Sequence, residues 1–145
     1  MAAEVIAIAS DHSGVDFKET LKVALVEVGL QVLDLGTNSH ESVDYPDIAE
    51  ALTSSIGEGL AGRGVLICGT GIGMSIAANR KSFIRAALCH SVTDARLSRQ
   101  HNNANVLILG ARTLGMEIAR DCLTAFLDTE FEGERHQRRI DKMSG

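Results

Sequence analysis

The sequence predicts an α/β fold: one three-layer α/β/α domain on a five-stranded parallel sheet. Two observations carry this reading. Short runs of β-branched and leucine residues alternate with stretches of helical periodicity along the whole chain, and such alternation builds a parallel sheet with helices on both faces. The 145 residues include 14 glycines and 1 proline, so ordered elements are joined by short turns. With 45% hydrophobic residues but only 3% aromatics, Val, Ile, Leu and Ala must fill the core. The pattern is Rossmann-like, with no internal repeat. Residues 1–145 read as a single domain whose residues 130–145 form a polar C-terminal tail.

Val5 to Ala9 reads as the first strand, and Ser10-Asp11-His12-Ser13-Gly14 as a polar turn. From Val15, the residues Phe17, Leu21, Ala24, Leu25 and Val28 share one helical face, and Gly29 supplies the stop. Leu30 to Leu35 is the second strand, and a polar loop runs from Thr37 to Asp44. Pro46 sits in the first turn of the next helix, which turns Ile48, Ala49, Leu52 and Ile56 inward. Gly64 to Cys68 is the third strand, followed at once by a glycine turn and a helix. Ile84 to Cys89 is the fourth strand, Val92 to Gln100 a helix, Val106 to Leu109 the fifth strand and Leu114 to Leu127 a longer helix. From Gly133 the tail reads as helical but too charged for the core.

Net charge is −5 and the pI about 5.5, which argues against a nucleic-acid footprint. The start, Met1-Ala2-Ala3-Glu4, shows no signal-peptide pattern, and no apolar run is long enough for a membrane span. Cys68, Cys89 and Cys122 have no paired spacing. Reduced thiols in a cytoplasmic compartment follow. The five histidines form neither HxxxH nor HExxH, so no metal pattern and no cofactor motif appear.

In a parallel sheet, ligands sit at the carboxyl ends of the strands. That rule gathers Asp11 and His12, Cys68 to Gly73, and Arg112 on one rim. The turn Gly69-Thr70-Gly71-Ile72-Gly73 lacks both the GxGxxG and GK[ST] patterns of nucleotide sites. It reads either as a nest of amides for a small anion or as tight helix–strand packing. A nest that welcomes negative charge also favours a thiolate at Cys68, while a plain buried cysteine is the alternative. Asp11 could cap the following helix or, with His12, meet a polar substrate. His101 precedes strand five and so belongs to the opposite rim. If it acts in catalysis, it acts at a site whose other half belongs to another subunit. Arg135 and Arg139, four apart, share a helix face that is either an anion clamp or a solvated surface.

Five ordered motifs resemble ribose-5-phosphate isomerase type B, whose wider family includes the galactose-6-phosphate isomerase subunits. They are Ser10 to Gly14, Asp44-Tyr45-Pro46-Asp47, Cys68 to Gly73 with Ile76 to Asn79, Leu97 to Asn102, and Arg135 to Arg139. The resemblance implies a metal-independent aldose–ketose isomerase working through an enediolate. It implies Cys68 as the base, since Met74 stands where another branch carries a glutamate. It assigns ring opening to His101, places Thr70 and Asp11 with Cys68 and His101 among the catalytic residues, and gives substrate contacts to Asp11, His12, Tyr45, Thr70 and Asn102. Gly69, Gly71, Ile72 and Gly73 match the loop facing the enediolate, and Arg112, Arg135 and Arg139 match phosphate ligands. It further implies a homodimer or dimer of dimers with shared active sites. Ribose 5-phosphate is the expected substrate. The alternatives are a six-carbon sugar phosphate or a non-catalytic sugar-phosphate-binding subunit.

Overall fold

The computed structural model describes residues 3–144. The strands are β1 (Val5–Ser10), β2 (Gln31–Asp34), β3 (Arg63–Cys68), β4 (Ala86–Leu88) and β5 (Val106–Gly110). The helices are α1 (Val15–Glu27), α2 (Tyr45–Gly57), α3 (Ile72–Ala78), α4 (Val92–Asn102), α5 (Met116–Asp128) and α6 (Arg135–Met143). All pairings are parallel, and the sheet runs β2-β1-β3-β5-β4. From β1 the chain first steps outward to β2, then returns to the other side of β1 as β3. The sheet therefore has its topological switch point between β1 and β3, where a crevice opens beyond the strands' carboxyl ends.

The central strands read as unbroken apolar runs because both of their faces are covered. Ile6, Ile8, Val65, Ile67, Leu107 and Leu109 meet Leu21 and Leu25 of α1 and Cys122 and Phe126 of α5 on one face. Ala7, Ala9, Leu66, Cys68 and Ile108 meet Leu52 of α2 and Met74 and Ala78 of α3 on the other. Each large aliphatic chain so buried stabilises the fold by roughly 1.5–3 kcal/mol. The small residues Ala7 and Ala9 let α2 and α3 approach the sheet closely. Cys68 projects toward that second face, which sets it beneath the crevice.

Several boundaries differ from the sequence reading. β4 keeps only Ala86–Leu88 because it is an edge strand with one partner, β5. Val28 was expected inward, but α1 ends at Glu27 and Val28 is 68% exposed. α4 runs two residues past the expected Gln100, to Asn102, and Asn103 closes it in the left-handed region. Its start is capped by Ser91 Oγ, which accepts from the Asp94 N–H at 3.1 Å. The tail is helical, yet His136 and Ile140 are buried beside α4, so one face of α6 does join the packed interior. A charged helix can do this because two residues four apart suffice for one stripe.

Lys18 is fully buried. Its Nζ lies 2.8 Å from Asp34 Oδ2 and 2.8 Å from Asn38 Oδ1. This ties α1 to the end of β2 and to the loop beyond it. Among the described residues, no helix is long and apolar enough to cross a membrane.

Candidate active site

A cavity of about 450 Å³ opens at the switch point. Its walls are Asp11, His12 and Ser13 after β1, Cys68, Gly69 and Thr70 after β3, Arg112 after β5, and Tyr45, Ile72, Gly73 and Ile76 from α2 and α3. The rim expected from topology thus forms within one chain. Backbone bonds fasten it: Asp11 N–H donates to Ile67 O at 3.1 Å, Ala111 N–H to Cys68 O at 2.8 Å and Arg112 N–H to Gly69 O at 2.8 Å.

Cys68 ends β3 and is 5% exposed. The Gly71 N–H donates to its Sγ at 3.2 Å. That amide is aimed by Gly71's φ of +81°, and a Cβ there would collide with Leu88 Cδ1. The first-turn amides of α3 have no acceptor inside the helix and face the turn. An anion forming above Cys68 therefore meets donors already in place. Thr70 Oγ1 accepts from the Ile72 N–H at 3.2 Å, which leaves its hydroxyl proton free to donate outward. The other two cysteines are in different surroundings. Burial, with Cys122 and Asp94 nearby, pushes the Cys89 thiol up to about 12, and burial also pushes Cys122 up. Both are structural. Met74 lies fully inside the core and carries no proton-accepting group.

Asp11 Oδ1 accepts from the Ser13 N–H at 3.0 Å and from Ser13 Oγ at 2.6 Å, capping the 3-10 turn His12–Gly14. The capping reading holds, and the capping residue is also a wall of the cavity. His12 Nδ1 accepts from the Val43 N–H at 3.2 Å. A neutral ring so held carries its proton on Nε2, as a donor. Tyr45 covers Gly73, where an added Cβ would stand 2.5 Å from Tyr45 Cζ. The Arg112 side chain runs beside Gly69, its Cδ 3.4 Å from where a Cβ would stand.

The remaining expected residues lie elsewhere in the chain. His101 and Asn102 end α4, where Asn102 O accepts from Arg85 Nε at 3.1 Å. Asn102 borders a separate hollow with Arg85 and Ala86. Arg135 and Arg139 are exposed on α6. His101 stacks on His136, ring centres 4.4 Å apart and planes 13° apart. Glu132 Oε1 stands 3.4 Å from His136 Nε2 and 3.9 Å from His101 Nε2. Burial, reinforced by Arg135 and His101, holds His136 below its ordinary value despite Glu132. Sequence reasoning missed Glu132 and His136 as partners of His101, since they come from distant segments. Their one signal was His136's place inside a motif noted for its arginines.

A family model described as Ribose/Galactose Isomerase matches residues 6–143. A ribose 5-phosphate isomerase structure from Thermotoga maritima superposes with a TM-score of 0.96 at 52% identity, covering 99% of each chain. Ribose-5-phosphate isomerase B of Escherichia coli is 44% identical over 96% of this chain and 93% of its own. D-erythrulose-4-phosphate isomerase of Pectobacterium atrosepticum is 43% identical over 95% of this chain and 91% of its own.

Proposed function

The chain belongs to the ribose/galactose isomerase family, and on that premise we propose that it interconverts ribose 5-phosphate and ribulose 5-phosphate through an enediolate. The observation that carries this reading is Cys68 Sγ in the cavity wall with an amide donor 3.2 Å away. The reaction needs a base that takes the proton from C2 of the aldose and returns it to C1, and donors for the oxyanion that forms between. Cys68 is the base, and Gly69, Gly71, Ile72 and Gly73 present the loop amides. Thr70 and Asp11 exchange protons with the sugar hydroxyls, and His12 and Tyr45 hold the sugar. No step calls on a metal or cofactor.

The furanose must open first, and that proton comes from His101 of a second subunit, with Asn102 beside it. Arg112 grips the phosphate together with Arg135 and Arg139 of the second subunit, so that phosphate binding orients the reacting end. The working unit is therefore a homodimer or a pair of them. The unpaired thiols suit a cytoplasmic, reducing compartment.

The test is Cys68→Ala, assayed for turnover and for binding of an unreactive sugar phosphate. Turnover should fall roughly 10²- to 10⁴-fold, the worth of a positioned base, with binding retained. Undiminished turnover would remove Cys68 from the mechanism. Wild-type binding without turnover would instead make the chain a sugar-phosphate-binding subunit. Comparing kcat/KM for ribose 5-phosphate, allose 6-phosphate, galactose 6-phosphate and erythrulose 4-phosphate checks the substrate. A higher value for any of the last three would replace the pentose.

A further inference from the structure

His101, Glu132 and His136 form a cluster that sugar opening by one histidine leaves unexplained. Their ligand atoms all lie within 4.8 Å of one another. Two imidazole nitrogens and a carboxylate oxygen are a donor set that zinc and neighbouring divalent metals accept, and three protein ligands leave a fourth position for water. His136 adds an independent observation. Its side chain is 6% exposed, and its Nε2 is buried with no hydrogen-bond partner. Native structures rarely leave such a nitrogen unspent.

We propose that His101, Glu132 and His136 bind a divalent transition-metal ion, Zn²⁺ by chemistry, and that the bound ion inhibits by taking His101 out of sugar opening. The inhibitory half rests on the function proposed above. The rings are nearly parallel, so a shared ion requires one to turn. His101, 40% exposed at its side chain, is free to do so, whereas His136 is held. Arg135 and Arg139 bear on the same ring and oppose a cation, which keeps binding reversible. The site captures metal as an inhibitor. It is not a cofactor site.

The experiment titrates the wild-type protein with Zn²⁺ and with Co²⁺, beside Cys68→Ser, Glu132→Gln and His136→Gln, each confirmed folded by circular dichroism. Wild type and Cys68→Ser should bind one ion per chain, and the Co²⁺ spectrum should lack a thiolate charge-transfer band. Glu132→Gln and His136→Gln should each weaken binding at least about 10-fold. Loss of isomerase activity should track occupancy and reverse with EDTA. Binding that vanishes in Cys68→Ser, or that survives in both ligand variants, overturns the site. Full occupancy without loss of activity overturns the inhibition while leaving the isomerase reading intact. An inactive wild type would defeat the isomerase reading alone, since the Co²⁺ spectrum still reports the site.

Discussion

Gly71 and Gly73 look equivalent in the sequence, yet the structure gives them different work. Gly71 has a φ of +81° and backs onto Leu88 and Ile108, so a methyl group there has nowhere to go. Gly71→Ala should destabilise the protein by about 1–3 kcal/mol and swing the Cys68-facing amide out of line. Gly73 carries the Tyr45 ring, which is 41% exposed and can swing outward. Gly73→Ala should therefore change stability by no more than about 1 kcal/mol while raising KM. Thermal unfolding and steady-state kinetics on both variants check this. Equal destabilisation would mean that Tyr45 is as firmly lodged as Leu88. The glycine spacing was legible as a tight turn between β3 and α3. Which amide meets the sulfur was not, because that depends on a backbone angle that no side-chain pattern encodes.

At the level of elements, α1, β2 and the following loop are joined by an ion pair that hydropathy patterning could not show. Lys18 reads as an ordinary polar helix position, yet its side chain is fully buried against Asp34, which is 14% exposed. Lys22 also reaches Asp34, at 2.9 Å. Lys18→Met leaves Asp34 one cationic partner, Lys22, beside the Gly36 N–H, so the loss should approach the low end of a broken buried pair, about 3 kcal/mol. The variant should also loosen the loop that supplies the Val43 N–H to His12, raising KM. Burial pushes the Asp34 carboxyl up, but hydrogen bonds from Lys18, the Gly36 N–H and Lys22 outweigh it and hold the group below its ordinary value. The sign follows: a depressed carboxylate stabilises the fold above its unfolded value of about 3.9, and that contribution is lost as pH falls through the lower folded value. Urea midpoints measured between about pH 5 and pH 2 should therefore fall less steeply in Asp34→Asn than in wild type. A parallel decline would show that another carboxylate governs acid unfolding. Strand and helix order were legible throughout because burial on both sheet faces writes itself as apolar runs. The packing of α6 was not, since its buried stripe is only His136 and Ile140.

For the whole molecule, the distance between the two rims decides what one chain can do. β3 has six residues, and at about 3.3 Å per residue its ends are roughly 20 Å apart. Cys68 and the turn lie beyond one end, and His101 closes a helix at the other. Proton transfer needs heavy atoms about 2.6–3.2 Å apart or one intervening water, so His101 cannot serve the Cys68 cavity of its own chain. Chain order alone put them on opposite rims. It could not show which surface two copies would pair through if the proposed shared site forms, because one chain's pattern does not encode the pairing of two. A shared site makes a quantitative prediction. Cys68→Ala and His101→Ala each disable both sites of a homodimer. In a mixed dimer one site collects both substitutions and the other collects neither. Equal mixing with free exchange makes half of the dimers mixed, so activity should recover to about one quarter of wild type by the two-fold symmetry of the pair. Mass spectrometry of the exchanged subunits, run beside the assay, gives the mixed fraction. Recovery that scales with that fraction supports the shared site. If exchange is complete and no activity returns, the shared site is overturned and His101 has no part in the chemistry at Cys68.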